Sequence, residues 1–479
     1  MNMGIMAQEY PLSYRWLWLS LGLLVVLLVA FILPVVPFDY WWYLRLGRDV
    51  LASGSVPQVE TYSYTRFGQP VVHPSWLSAV LLAILYDGGG LTLSFLARGV
   101  ILSLAYSLLW VISCQQCGPR LASFLMLLSA LAGSNNWSFR PQLFTYLLFA
   151  LVFWSLWQWN EQKKNTLWLL PVCGVLWVNL HGSFPMLFAL CALFFVFGNG
   201  LRKHLLLWTV LALIATLINP RGINAWTHVA FMMRNPSIQM YSAEWVASSN
   251  IGWQMNIFYA WLVAFPLLAL FSNKRPTWLE WSLYLSFGVL AIVGIRYVIW
   301  FLFIIAPLTS RILPPVLQKL LDPPPAQVQS RTNYAVSFII LATSLLSLPG
   351  PRQAWFSSLE IPLWYSTPVQ AAAWLKMHPE LPGPMWADLA SSSYLIFALP
   401  ERPVWIDTRF EVYPPEQWKE YLIMEEASLE GQRLFDRYGI NLLFFQKEAG
   451  QSVENLRAAP QWCPQYEDDA AIIFTRCSK

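Results

Sequence analysis

The chain has 479 residues; 57% are hydrophobic, only 12% are charged, mean hydropathy is +0.47 and formal net charge is +4. A soluble domain carries about 25% charged residues, so this composition excludes a disordered chain, a coiled coil, collagen and an ordinary cytosolic enzyme. It points to a polytopic α-helical membrane protein. Residues 1–350 hold 19 Lys/Arg against 9 Asp/Glu, whereas residues 351–479 hold 11 against 17. The expected division is therefore a membrane domain over 1–350 and a soluble domain over 351–479. No clustered basic stripe occurs, which argues against a nucleic-acid partner.

A helix needs about 20 apolar residues to span a bilayer. Twelve apolar segments qualify as candidates, at roughly 16–36, 75–86, 91–113, 119–134, 142–159, 167–180, 184–198, 204–218, 254–271, 277–294, 297–314 and 334–349. The first reads as an anchor and not as a cleaved signal, because Pro34, Pro37 and Phe38 follow it in place of small residues. Lys163-Lys164, Arg202-Lys203, Lys274-Arg275 and the group Arg311, Lys319 and Arg331 mark cytoplasmic loops. An inside N-terminus and an outside tail need an odd number of crossings. With 75–86 read as re-entrant, the expectation is about 11 crossings.

Two large regions then face outside, 37–74 and 219–253. The second contains an amphipathic stretch, Ala225 to Met233. The tail reads as a small extracytoplasmic α/β domain. Its strand candidates are Pro403 to Asp407, Asn441 to Phe445 and Ala471 to Thr475; its helix candidates are Thr367 to Met377 and Pro415 to Glu426. Cys463 and Cys477 could pair if the tail is extracytoplasmic. Cys114 and Cys117 form a lone CxxC, two ligands short of a zinc site.

Few residues of the membrane body can carry chemistry. Asp39, Asp49, Glu60, Asp87 and Glu244 fall in or beside the outer regions. Asp39, just past the first apolar segment, is the sharpest candidate. A carboxylate there can act as a general base or hold a divalent metal, Mg or Mn, against a phosphate leaving group. The plainer reading is an interfacial helix cap. Arg45, Arg48, Arg140, Arg221 and Arg296 also face outside, and Arg suits bidentate phosphate binding. His73 and His181 sit at the expected outer surface, where a hydrogen-bonded structural role weighs against an acid–base one. No HExxH, GxSxG, P-loop or GxGxxG pattern occurs.

The run Asp39-x-Trp41-Trp42-x-Leu44-x-x-Gly47, then Gly54-x-x-Pro57, Ser63-Tyr64-Thr65 and Trp76-Leu77, resembles the first outer loop of bacterial GT-C membrane glycosyltransferases. Arg140-Pro141-Gln142, Asn179-x-His181-Gly182, Asn219-Pro220-x-Gly222, Glu244-Trp245 and Arg296 continue the resemblance. Tyr394-Leu395-Ile396, Pro403-Val-Trp-Ile-Asp407-x-Arg409 and Tyr438-Gly439 extend it through the tail. Tyr43, Glu60 and Thr408 depart from it, standing where His, Asp and Gly are usual.

The resemblance implies inverting transfer of a sugar from a polyprenyl-phosphate donor to an extracytoplasmic lipid, glycan or protein acceptor, in the inner membrane of a bacterium. It maps the base or metal-ligand role onto Asp39, with Glu244 or Asp87 as a second acid. Arg45, Arg140 and Arg296 would hold the phosphate, and His181 would line the substrate site. Membrane lipids are expected partners, and the acceptor is unknown. The rival expectation is a catalytically silent GT-C-like subunit that binds lipid or scaffolds an envelope complex with a membrane-protein partner.

Overall fold

The computed structural model describes residues 10–161, 164–313, 329–355 and 363–477. Lys163 and Lys319, used above to orient the chain, lie outside the described residues. The chain is mostly helical and forms two compact units, each assembled from separated stretches. One comprises Met1–Leu33, Gly89–Ala225 and Glu244–Glu360; the other comprises Pro34–Gly88, Trp226–Ala243 and Ile361–Lys479. The expected outer loop 37–74 therefore packs with the tail, whereas the sequence division placed it in the membrane domain.

In the first unit the helix Val298–Ile312 is the centre of the core and is buried along nearly its whole length. It packs against the helices Pro119–Gly133 and Trp278–Val293. Tyr146, Phe149, Trp177, Trp300 and Phe303 interlock edge-to-face and tilted around it, the arrangement that ring quadrupoles favour. Ser129 bonds the Leu302 carbonyl at 2.8 Å, and Trp261 bonds Thr309 at 2.9 Å. The helix Arg202–Ala215 instead exposes Leu206, Leu207, Val210, Leu211, Leu213 and Ile214. An apolar face this wide fits a hydrocarbon solvent and not water. Arg98 is fully buried, between the rings of Phe95 and Phe139. It donates to the carbonyls of Ala30, Leu33 and Trp137. The cation thereby satisfies carbonyls that the end of the helix Leu12–Ile32 leaves open.

Among the described residues, four helices are long and apolar enough to cross a membrane: Leu12–Ile32, Trp76–Cys114, Trp253–Phe271 and Ile295–Ile312. Ser330–Ser347 with Pro349–Trp355, bent by 79°, makes a fifth if it counts as one span. Leu169–Leu180, Pro185–Phe197 and Trp278–Val293 are apolar but shorter. The expected segments 75–86 and 91–113 form one element, Trp76–Cys114, interrupted at Gly89 and Gly90. Gly90 has φ +59°, a left-handed conformation that favours glycine.

The second unit carries a four-stranded sheet. Its strands are β1 (Met385–Ala387), β2 (Leu442–Gln446), β3 (Trp462–Glu467) and β4 (Ala471–Arg476), in the order β1-β2-β4-β3. β1 and β2 are parallel and the other pairs antiparallel. The core holds Trp386, Phe435, Leu443, Phe445, Ile472 and Phe474. The helices Val369–Met377, Leu389–Ala398, Pro415–Glu425, Leu429–Arg437 and Gly450–Ala458 complete this α/β part. Cys463 and Cys477 form a disulfide. The expected strand over Pro403 to Asp407 is corrected. It does not join the sheet, because Val404 pairs with the loop around Ser63. The Val404 amide donates to the Tyr62 carbonyl at 2.9 Å, and the Tyr64 amide to the Val404 carbonyl at 3.1 Å.

Candidate active site

The expected site residues fall into two groups, one in each unit. In the second unit Asp39 is the first residue of the helix Asp39–Ser53, with Phe38 at the cap position. A carboxylate in the first turn is favoured by the helix dipole. Asp39 Oδ1 accepts a hydrogen bond from Thr408 Oγ1 at 2.7 Å and a longer one from Trp42 Nε1 at 3.4 Å. Trp42 Nε1 also donates to Thr408 Oγ1 at 3.2 Å. The helix can come this close to its neighbour because of Gly47. A Cβ there would lie 2.1 Å from the Ala79 carbonyl oxygen.

Thr408 stands between two buried charges. Arg409 and Asp407 pair through Nε at 2.9 Å and a terminal nitrogen at 2.6 Å. Arg409 also grips Glu60 at 2.5 and 3.0 Å. Glu60 further accepts the amides of Tyr62 and Ser63, and Tyr413 donates to Asp407 at 2.7 Å. Burial alone would raise the Asp407 carboxyl, but Arg409 and Tyr413 prevail and hold it below the usual carboxylate range. His73 is buried; burial first, then the charge of Arg409, pushes it down to about 3. It is neutral at physiological pH.

Glu411 is a residue that the sequence reading missed. Burial pushes its carboxyl up to about 7, with Asp407 and Asp39 adding to the rise. Two other candidates in this unit are engaged locally. Arg45 pairs with Asp49 one helical turn on, through Nε at 2.9 and 3.0 Å. Asp87 pairs with Arg48 at 2.5 Å, and both remain substantially exposed.

In the first unit the structure brings Arg140, His181, Glu244 and Arg296 together. Arg140 forms an ion pair with Glu244. The next residue, Trp245, lies under Arg296, whose guanidinium carbon is 4.7 Å from the ring centroid. The dipeptide Glu244-Trp245 thus engages both arginines. The Ile295 amide donates to the Val246 carbonyl at 3.0 Å, and this ties the segment to the turn that carries Arg296. Both arginines act electrostatically on His181 and on Tyr146. His181 Nδ1 accepts the Ser183 amide at 3.0 Å and lies 2.8 Å from Ser183 Oγ. Trp177 Nε1 donates to that same oxygen at 3.0 Å. An Nδ1 that accepts an amide proton leaves the ring proton of a neutral imidazole on Nε2. Asn179 fixes the turn through the carbonyls of Val175 and Ile218, both at 2.8 Å. The result is two guanidinium groups and a ring N–H in one neighbourhood, chemistry suited to an oxyanion.

Among the described residues, no group of three or more His, Cys, Asp or Glu side chains could hold a metal ion. The partners of Asp39 Oδ1, a threonine hydroxyl and an indole N–H, both meet it as hydrogen-bond donors.

No protein-family model matches the chain, and no curated protein matches it in sequence. Solved structures do match it in fold. The oligosaccharyltransferase of Archaeoglobus fulgidus, in its apo form, superposes with a TM-score of 0.57 at 12% identity, over 90% of this chain and 69% of that one. ArnT from Cupriavidus metallidurans, bound to undecaprenyl phosphate, gives 0.51 at 13% identity, over 96% of this chain and 97% of that one. The mycobacterial arabinofuranosyltransferase AftD gives 0.54 at 14% identity, over 98% of this chain but only 42% of that one. The chain has the fold of the GT-C membrane glycosyltransferases. At these identities the likeness establishes fold alone, and chemistry resides in the site's own residues.

Proposed function

We propose that this GT-C-like protein is a membrane glycosyltransferase that moves a sugar from a polyprenyl-phosphate donor to a lipid, glycan or protein acceptor. The observation that carries the reading is the convergence of Arg140, Arg296 and His181 in the first unit. Two guanidinium groups in the neighbourhood of a ring N–H have the chemistry to hold an oxyanion. The ArnT structure of the same fold contains undecaprenyl phosphate, a ligand whose phosphate such a holder would grip.

In this reading Arg140 and Arg296 bind the donor phosphate, and Glu244 is the counter-ion that the phosphate replaces at Arg140. For the acceptor, the resemblance gives Asp39 of the second unit the role of base, which takes the proton of the hydroxyl. The acceptor oxygen attacks the anomeric carbon, the bond from that carbon to the phosphate oxygen breaks, and polyprenyl phosphate leaves with its charge held by the arginines. Configuration inverts in a single displacement. Arg45 and Asp87 would hold the outer loop in shape through their own ion pairs.

The proposed topology has about 11 crossings, with the shorter apolar helices accommodated by neighbours or a thinned bilayer. The N-terminus is cytoplasmic and the tail extracytoplasmic, in the inner membrane of a bacterium. The Cys463–Cys477 disulfide supports an oxidising location for the tail.

The reading is tested by polyprenyl-phosphate binding to the purified protein in detergent. Wild type should bind. Arg140→Gln and Arg296→Gln should each weaken binding at least tenfold, since each removes a charge-assisted contact worth about 1.5–3 kcal/mol. Equal binding by wild type and both variants would sink the assignment.

A further inference from the structure

We infer that Thr408 is a positioning residue for Asp39: its hydroxyl, clamped by the buried Asp407–Arg409–Glu60 cluster, fixes the orientation of the carboxylate. The inference rests on the proposed role of Asp39 as base. It adds that the C-terminal segment supplies part of the reactive centre, through a residue that departs from the GT-C resemblance.

Hydrogen-bond direction follows from the donor inventory. The Trp42 indole N–H can only donate, and it points at both Thr408 Oγ1 and Asp39 Oδ1, at 3.2 and 3.4 Å. Thr408 has one hydroxyl proton. With its oxygen accepting from Trp42, that proton goes to Asp39 Oδ1, 2.7 Å away. Oδ1 thus faces two donors approaching from different elements, which sets the carboxylate plane.

The threonine is itself held from both sides. Asp407 before it and Arg409 after it are each at most 2% exposed and joined to each other. Arg409 is anchored to Glu60 in the first loop. The loop is zipped to the tail by Ser63 and Thr65, whose hydroxyls bond the Trp405 carbonyl at 3.2 and 2.8 Å. The Phe410 amide bonds the Thr408 carbonyl at 3.0 Å. A β-branched side chain on so fixed a backbone has little rotamer freedom. A glycine at this place, as the resemblance leads one to expect, would keep the clamp and lose the hydroxyl.

The test uses full-length protein with 15N-labelled tryptophan indoles, the Trp42 resonance being assigned by its loss in Trp42→Phe. Thr408→Val should move that resonance and Thr408→Ser should restore it. An unmoved resonance in Thr408→Val overturns the inference. A transfer assay runs in parallel. Losing a hydrogen bond to a charged group should lower kcat about tenfold to a hundredfold with little change in KM. Thr408→Ser should recover most of the rate, and unchanged thermal midpoints would exclude misfolding as the cause. Full kcat in Thr408→Val overturns the inference. Absence of transfer by wild type overturns the proposed function instead, while the indole resonance still decides the Thr408 contact.

Discussion

Arg409 holds Glu60, 349 residues upstream, with both terminal nitrogens at 2.5 and 3.0 Å, and each side chain is only 1% exposed. The same guanidinium holds Asp407. One cation thus compensates two buried carboxylates. Such a cluster is costly to form and costlier to break, because removing one member leaves uncompensated charge. Arg409→Met should therefore destabilise the second unit by about 3–5 kcal/mol. Glu60→Gln, which keeps Asp407 paired, should cost less, about 1–3 kcal/mol. Thermal or denaturant unfolding of the purified protein checks the order; equal effects would contradict it.

Gly47 gives a steric prediction. An added Cβ would meet the Ala79 carbonyl oxygen at 2.1 Å and the Ala83 side chain at 2.7 Å. Backbone cannot yield as a flexible side chain can. Gly47→Ala should cost at least about 2 kcal/mol, in the upper part of the usual range for overpacking. Loss of folded yield or a lowered midpoint would agree; wild-type stability would not.

Glu411 makes stability depend on pH. Its carboxyl is raised in the fold from 4.5 to about 7. Between those values the folded state binds more protons than the unfolded one, so stability falls as pH rises. The penalty is absent below about 4.5 and complete above about 7. Glu411→Gln should flatten this part of the curve and raise the midpoint at pH 8 relative to wild type. An unchanged pH curve would contradict the assignment.

The disulfide closes a short loop, Cys463 to Cys477, a separation of 14 residues. A loop of that size contributes roughly 3 kcal/mol in the chain-entropy view. Mild reduction should lower the stability of the tail by about that much and expose two alkylatable thiols, which mass spectrometry would count. Alkylation of Cys463 or Cys477 without reduction, as distinct from the free thiols such as the half-buried Cys114, would contradict both the bond and the proposed extracytoplasmic tail.

The sequence makes the local structure legible. The apolar runs at 142–159, 254–271 and 277–294 become Gln142–Asn160, Trp253–Phe271 and Trp278–Val293. Periodicity and length are properties of neighbouring residues, and neighbours suffice for them. Thr408, Trp42 and Glu411 show where that stops. Nothing near Thr408 reveals that it meets a residue 369 positions away. Its signal was only that a hydroxyl stands where the resemblance has glycine. Glu60 and Arg409 were visible as separate motif members, but their pairing depends on tertiary packing. Pro403 to Asp407 has the apolar pattern of a strand, yet Val404 finds its partner in the first loop and not in the sheet. In the first unit, Glu244-Trp245 meets Arg140 and Arg296, and that meeting too depends on tertiary packing.

The most direct test of glycosyl transfer compares envelope glycans and glycolipids by mass spectrometry in three strains: a deletion, the deletion with wild type, and the deletion with Asp39→Asn. One sugar-bearing species should disappear in the deletion and return with wild type only. Identical profiles in all three strains, or full restoration by Asp39→Asn, would contradict it.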